Sequence, residues 1–396
     1  MKPSVLLALC WLAGGCALLP LPVTLQPESW RAAPAEQRAA IEERLDWAGE
    51  NRQELLGYLD GVPEEERWAA WFLVANLPPR DLGAVTAGQL LANHRLAFRA
   101  RRELPWAGEP SDQLFLHYVL PYHVSQEPIQ PWREHLYEAV TARVASLRTA
   151  AQAALEINRW AAEHISFKQT EFRDQGPLTS LTHGIGRCEE MMILYIAAAR
   201  TVGLPARPCS TPWWPFTDNN HAWVEVYGDG AWHYLGGAEP RPALDDGWFG
   251  NSALRTVMVR SVAFGTGGEL GEALYRTGAD FTLVNSTANY TSPCTIQIYV
   301  SADGEAAVNV PVYLAVFNYG AFRTVAMRET DGSGLAEFIT GPGQMLASAG
   351  TDEKGAVAVV TGDPEAPSVA ILRLDETSMD PPETLWLRYP PPPEGR

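Results

Sequence analysis

Between Gln37 and about Ser166, apolar residues recur at three- and four-residue steps: Ile41 and Leu45, then Leu55, Tyr58 and Leu59, then Leu136, Val140, Val144 and Leu147. That spacing lines one face of a helix, so a helical region is expected over 17–150, with breaks at Pro78-Pro79 and Pro105. Its several tryptophans read as inter-helix packing. Near residue 185 the pattern changes. A compact helix over 188–202, closed by Gly203, is followed by the alternating strand His221-Ala222-Trp223-Val224-Glu225-Val226-Tyr227. Gly228-Asp229-Gly230 suits a tight turn into Trp232-His233-Tyr234-Leu235, which predicts a hairpin within an α+β segment over 151–265. Beyond about Ala279 the helical period is lost. Strands at 281–284, 295–300 and 312–317, with Asp331-Gly332-Ser333-Gly334 as a turn, predict an all-β sandwich over 279–375 and a Pro-rich tail over 376–396. The expected fold class is therefore α+β.

Composition narrows the function classes. With 46% hydrophobic and 19% charged residues, the 396-residue chain lies outside the regime of disorder and is long enough for two or three domains. Against 47 acidic residues stand 30 basic ones, a formal charge of −17 that repels phosphate backbones, so no nucleic-acid partner is expected. No apolar run reaches the roughly 18 residues of a membrane-spanning helix. The N-terminus instead reads as a targeting segment over 1–16, because Lys2 precedes the apolar run Val5 to Ala13 and the small residues Gly14-Gly15-Cys16. Leu12-Ala13-Gly14-Gly15-Cys16 resembles a bacterial lipoprotein signal, although Ala13 stands where that pattern more usually has Leu. The resemblance implies a lipid on Cys16, export to the cell envelope and membrane anchoring.

Setting aside Cys10 and Cys16, three cysteines remain, Cys188, Cys209 and Cys294, and an odd number cannot all pair. Whether Cys209 and Cys294 join each other stays open. There is no CxxC or HExxH, and the eight histidines are scattered, so no metal site is expected. The informative stretch is Gly184-Ile185-Gly186-Arg187-Cys188-Glu189-Glu190. Its glycines suit a turn into a helix start, where unpaired N–H groups favour thiolate at Cys188. Arg187 pushes the same way, and Glu189 and Glu190 oppose it. A thiol nucleophile needs an imidazole, and His221 opens a strand 33 residues later, after the polar loop Thr217-Asp218-Asn219-Asn220.

Gly-Arg-Cys at a helix start, the exit Arg200-Thr201-Val202-Gly203-Leu204-Pro205, and His221-Ala222-Trp223-Val224-Glu225-Val226 together resemble the transglutaminase-like superfamily of papain-like thiol enzymes. The resemblance implies Cys188 as nucleophile, His221 as its base, a peptide or protein substrate and no cofactor. The aspartate usual in that family, fifteen residues past the histidine, is here Gly236. The nearest acid is Glu239, in a Gly-Ala-x-Glu-Pro segment resembling a bacterial exported subgroup. Glu239 is the expected third member, with Asp245, Asp246 or a Cys–His dyad as alternatives. Val316-Phe317-Asn318-Tyr319-Gly320-Ala321-Phe322, followed by Thr330-Asp331-Gly332-Ser333-Gly334, resembles the prealbumin-like β-sandwich found behind the same core in that subgroup. The implied activity is thiol acyl transfer, hydrolysis favoured over cross-linking, and the alternative is a non-catalytic surface lipoprotein holding a peptide or glycan. Gln175 and Ser180 are candidate oxyanion donors, and His183 and His233 candidate substitute bases. Trp213 to Phe216 are candidate cleft aromatics. Oligomeric state is not indicated.

Overall fold

The computed structural model describes residues 28–169, 175–266, 274–351, 354–374 and 387–391. The expected signal segment with Cys16, and most of the Pro-rich tail, lie outside the described residues. Helices α1 (Ala35–Trp47), α2 (Arg52–Gly61), α3 (Arg67–Ala75), α4 (Ala87–Glu103) and α5 (Asp112–Tyr118) bury Ile41, Leu45, Leu59, Leu73 and Phe115 in one core. Thr86 starts α4 by accepting the backbone N–H of Gln89 at 3.2 Å, while the Gln89 side chain accepts from Thr86 N at 3.1 Å, a reciprocal cap.

Helices α6 (Trp132–Val144) and α7 (Ala150–His164) turn toward a second core. They are followed by α8 (Pro177–His183) and α9 (Cys188–Thr201), and α9 is buried on every side from Glu190 onward. A helix apolar all round belongs at the centre of a domain. Here α4, α6 and α7 cover it on one side and a sheet on the other. Its C-terminal end is gripped by buried arginines: Arg133 donates to the carbonyl of Arg200, and Arg200 to that of His123 at 2.9 Å.

Two short strands, β1 (Ser166–Phe167) and β2 (Ile185–Gly186), pair in parallel and lead into α9. The main sheet holds β3 (Ala206–Thr211), β4 (His221–Gly228), β5 (Ala231–Leu235), β6 (Arg260–Phe264), β7 (Leu274–Thr277) and β8 (Phe281–Asn285) in the order β5-β4-β3-β6-β8-β7. The hairpin expected at 221–235 is β4–β5, with Asp229 and Gly230 at positive φ in its turn. Ala222, Val224 and Val226 of β4 face α9, while Trp223 packs in a separate cluster with Phe249 and Tyr290. One strand differs from expectation. Residues 281–284, read as the opening of the C-terminal sandwich, belong to β8, which pairs with β6 from Arg260↔Asn285 to Phe264↔Phe281. Alternation identifies a strand but carries no information about its partner.

The remaining strands are β9 (Cys294–Ala302), β10 (Glu305–Ala306), β11 (Pro311–Asn318), β12 (Ala321–Glu329), β13 (Leu335–Thr340), β14 (Gly343–Gly350), β15 (Gly355–Gly362) and β16 (Ser368–Arg373). They form two four-stranded sheets, one of β9, β10, β13 and β16 and one ordered β12-β11-β14-β15. Ile296, Ile298, Leu314, Val316, Phe338 and Met345 from both sheets share a core. Asp331 makes the turn expected of it, its carboxylate accepting Ser333 N at 2.8 Å and Leu335 N at 3.1 Å. Among the described residues no helix is long and apolar enough to cross a membrane.

Candidate active site

Local chemistry explains how α9 presents Cys188. Gly184 ends α8 at φ +66°, and a Cβ at Gly186 would fall 2.5 Å from Glu190 Cβ, so glycine is required for Glu190 to fold back over the helix start. Glu190 then accepts from Arg187 N at 2.8 Å and from its guanidinium at 2.9 and 3.1 Å. This corrects one expectation: the Arg187 charge is directed at Glu190 rather than at the thiol. The Cys188 S–H donates to Glu189 Oε2 at 3.1 Å, and the backbone N–H groups of Ala222 and Glu189 point at the sulfur. Burial and then the Glu189 charge push the thiol up to about 12, against the two N–H groups. At rest it carries its proton.

The N–H of Ala222 brings the thiol to the start of β4, where His221 stands. The His221 ring packs against Trp248 at 4.8 Å, Phe249 at 4.9 Å and Trp223 at 5.7 Å between centroids. Burial pushes this imidazole down to about 4, and its Nε2 is buried without a hydrogen-bond partner. Further along β4, Glu225 binds Arg207 at 2.7 Å, Ser261 at 2.5 Å and Tyr290 at 2.8 Å, and Tyr290 also receives the Trp223 indole at 2.8 Å. Burial works against the Glu225 charge, yet Arg207 and these hydroxyls hold its carboxyl below the usual range. A fully partnered buried ion of this kind fixes the strand that carries the histidine.

Glu239 folds back over the two glycines. A Cβ at Gly236 would lie 2.1 Å from Glu239 Oε2, so this carboxylate fills the space a side chain at 236 would enter. Gly237 lets the segment close on α9, since a Cβ there would meet Met192 N at 2.5 Å. The Gly236 carbonyl accepts from buried Asn158 at 2.5 Å. Burial raises the Glu239 pKa, and the indole of Trp248 donates to it. Glu239 Oε2 has no partner, and it makes no hydrogen bond to His221 Nε2.

The other candidates are engaged elsewhere. Asp245 accepts from Tyr234 N at 2.9 Å and sits 2.7 Å from His233 Nδ1, so each accounts for the other, and Asp246 is exposed. His183 Nδ1 lies 2.5 Å from Gln175 Oε1; the Gln175 Nε2 and Ser180 Oγ are buried without partners. Cys188, Cys209 and Cys294 are all free thiols, with Cys209 against Tyr290 and Cys294 against the Ser292 carbonyl. Trp214 is buried and Trp213 half-buried against the C-terminal strands. Trp248 and Phe249 were not legible as site residues. They follow a loop without period, and only their aromatic character marks them.

Residues 138–236 match the family model of the transglutaminase-like superfamily, a span that contains Cys188 and His221 and ends at the departing Gly236. The chain contains a transglutaminase-like core. A solved structure from Cytophaga hutchinsonii, named provisionally as a cysteine protease, is similar at 13% identity and a TM-score of 0.29 over 66% of this chain. The match spans 61% of that structure's length. No curated protein matches the chain. Among the described residues no three His, Cys, Asp or Glu side chains converge as a metal site.

Proposed function

We propose that the protein is a thiol acyl-transfer enzyme acting on peptide or protein amides, with Cys188 as nucleophile, His221 as base and Glu239 as the acid that orients it. The observation that carries this reading is the meeting of the α9 and β4 starts: the Ala222 N–H binds the Cys188 sulfur, and the residue next to Ala222, His221, has a buried Nε2 without a hydrogen-bond partner. Because the resting pair is thiol and neutral imidazole, the proton moves during attack. The S–H proton passes to His221 as sulfur bonds the amide carbon. His221 then gives it to the leaving amine as the C–N bond breaks, and water attacks the thioester, its proton going to His221 and the thiol being restored. The Cys188 N–H and the Gln175 amide, which has no acceptor at rest, are the proposed oxyanion donors. Hydrolysis is favoured over cross-linking because water needs no binding site.

The test uses glutamine-containing peptides and denatured casein, with acid quench and mass spectrometry to find an acyl adduct on Cys188. His221 must be neutral to accept the proton, so kcat/KM should hold to mildly acidic pH and fall as pH drops through about 4. No adduct and no turnover across such probes would favour the second reading, a non-catalytic surface protein holding a peptide or glycan. The raised thiol and the absence of a hydrogen bond between Glu239 Oε2 and His221 Nε2 are the observations on its side. The proposal also includes export and lipid anchoring at Cys16. The Cys16→Ser chain should leave the membrane fraction, and its retention there would remove the anchor.

A further inference from the structure

The loop between β3 and β4 delivers His221, and its hold comes largely from a distant part of the chain. Asn318, the last residue of β11, is fully buried, and its Nδ2 donates to the carbonyls of Trp214 at 2.9 Å, Thr217 at 2.8 Å and Asn219 at 3.1 Å. One residue on, the Tyr319 N–H donates to Asp218 Oδ1 at 2.7 Å. The Asn219 carbonyl lies two residues before His221. Three converging carbonyls call for a donor with more than one hydrogen, which an amide supplies and a carboxylate or hydroxyl does not. Asn318 Oδ1 is left buried without a partner, so this side chain forgoes one bond to make the others.

The backbone of the β11–β12 tip points the same way. Tyr319 and Gly320 have φ of +48° and +70°, the conformation of a tight hairpin turn that favours Asn or Gly at its first central position. A tyrosine stands there instead, and its ring meets Trp213 of the loop at 6.3 Å, with Arg323 over the Trp213 ring at 5.4 Å. The tip thus accepts an unfavourable residue for its turn while gaining a contact to the loop.

We propose that Asn318 is a positioning residue: the β11–β12 tip holds the loop before β4 and thereby fixes His221 against Trp248 and Phe249, which makes the C-terminal β region part of the active unit. The catalytic consequence rests on the Cys188–His221 reading above, whereas the effect on His221 does not. The His221 ring meets Trp223 on its own strand and Trp248 and Phe249 after β5; of the titratable groups around it, Cys188 at the start of α9 is bound at the next residue, Ala222, and Glu239 is bonded to Trp248.

The full chain, with labelled histidine, is titrated by NMR, and turnover of the glutamine peptides is measured in parallel. In the parent protein, burial of the His221 ring is expected to hold its titration down at about 4. Asn318→Ala should admit water, move that titration upward toward the ordinary 6.5 and lower kcat about threefold to tenfold with a smaller change in KM. Should Asn318→Ala fail to fold, Asp218→Ala removes the second tie at an exposed residue and is expected to move His221 in the same direction. A lowered melting temperature with His221 unmoved in the folded variants would mean a merely structural role and overturn the proposal. A shifted His221 in a protein without turnover would keep the positioning role and sink the enzyme reading alone.

Discussion

Cys188→Ala is expected to remove turnover of the peptide and casein probes by roughly 10⁴-fold or more, while moving the melting temperature by no more than about 3 °C. The two halves of this expectation come from different features. Turnover depends on Cys188, whose sulfur takes the Ala222 N–H at the start of β4, because Cys209 lies buried against Tyr290 and Cys294 beside Ser292. Stability depends little on it. Cys188 is half-buried at the first position of α9, where alanine is a good helix former, and the helix start is secured by Glu190 and Arg187 rather than by the thiol. The substitution also removes the repulsion that Glu189 exerts on any thiolate. Activity assays and calorimetry on the same preparation decide the matter. A collapse in melting temperature would make Cys188 a structural cysteine, and retained turnover would require another nucleophile.

Much of this arrangement was legible because it is written locally. The three- and four-residue apolar steps marked the helical region and fall in α1, α2 and α6, with Leu147 beyond the end of α6. Cys188 and His221 sit at element starts, and Gly186 ends the short strand before α9, where turn chemistry and strand alternation are readable within a few residues. What escaped is non-local. The β8 strand has the same alternation whichever neighbour it takes, so its pairing with β6 depends on the assembled sheet. The Asn318 clasp spans about a hundred residues of chain, and an asparagine before a Tyr-Gly turn looks like turn chemistry alone. Arg187 was read by proximity in sequence to Cys188, but a guanidinium goes to the acid that meets its fork, here Glu190 three residues on. In the case of Glu239, sequence supplied the residue and the structure supplied the space it fills.

That space sets up the second large expected effect. Glu239→Gln should lower kcat by at least roughly tenfold, since an amide keeps the shape but stabilises the imidazolium less as His221 takes the thiol proton. The companion substitution follows from the 2.1 Å approach of Glu239 Oε2 to a Cβ at Gly236. In the parent chain Gly236→Asp collides with Glu239 and should destabilise the fold, because the encounter is with a carboxylate already held by Trp248 and the two acids would also repel. A Cβ at Gly236 would also lie 2.8 Å from Glu239 Cβ, so only a Glu239→Gly background vacates the volume, and Gly236→Asp should there recover part of the lost turnover, placing an acid at the position usual in transglutaminase-like enzymes. Recovery in the double variant, with no recovery from Glu239→Gly alone, would establish that the two positions supply one carboxylate to one place. If Glu239→Gln is kinetically silent while His221→Ala is inactive, the glutamate is structural. His221 would then work as a dyad base, kept in place by Trp248, Phe249 and the loop before β4.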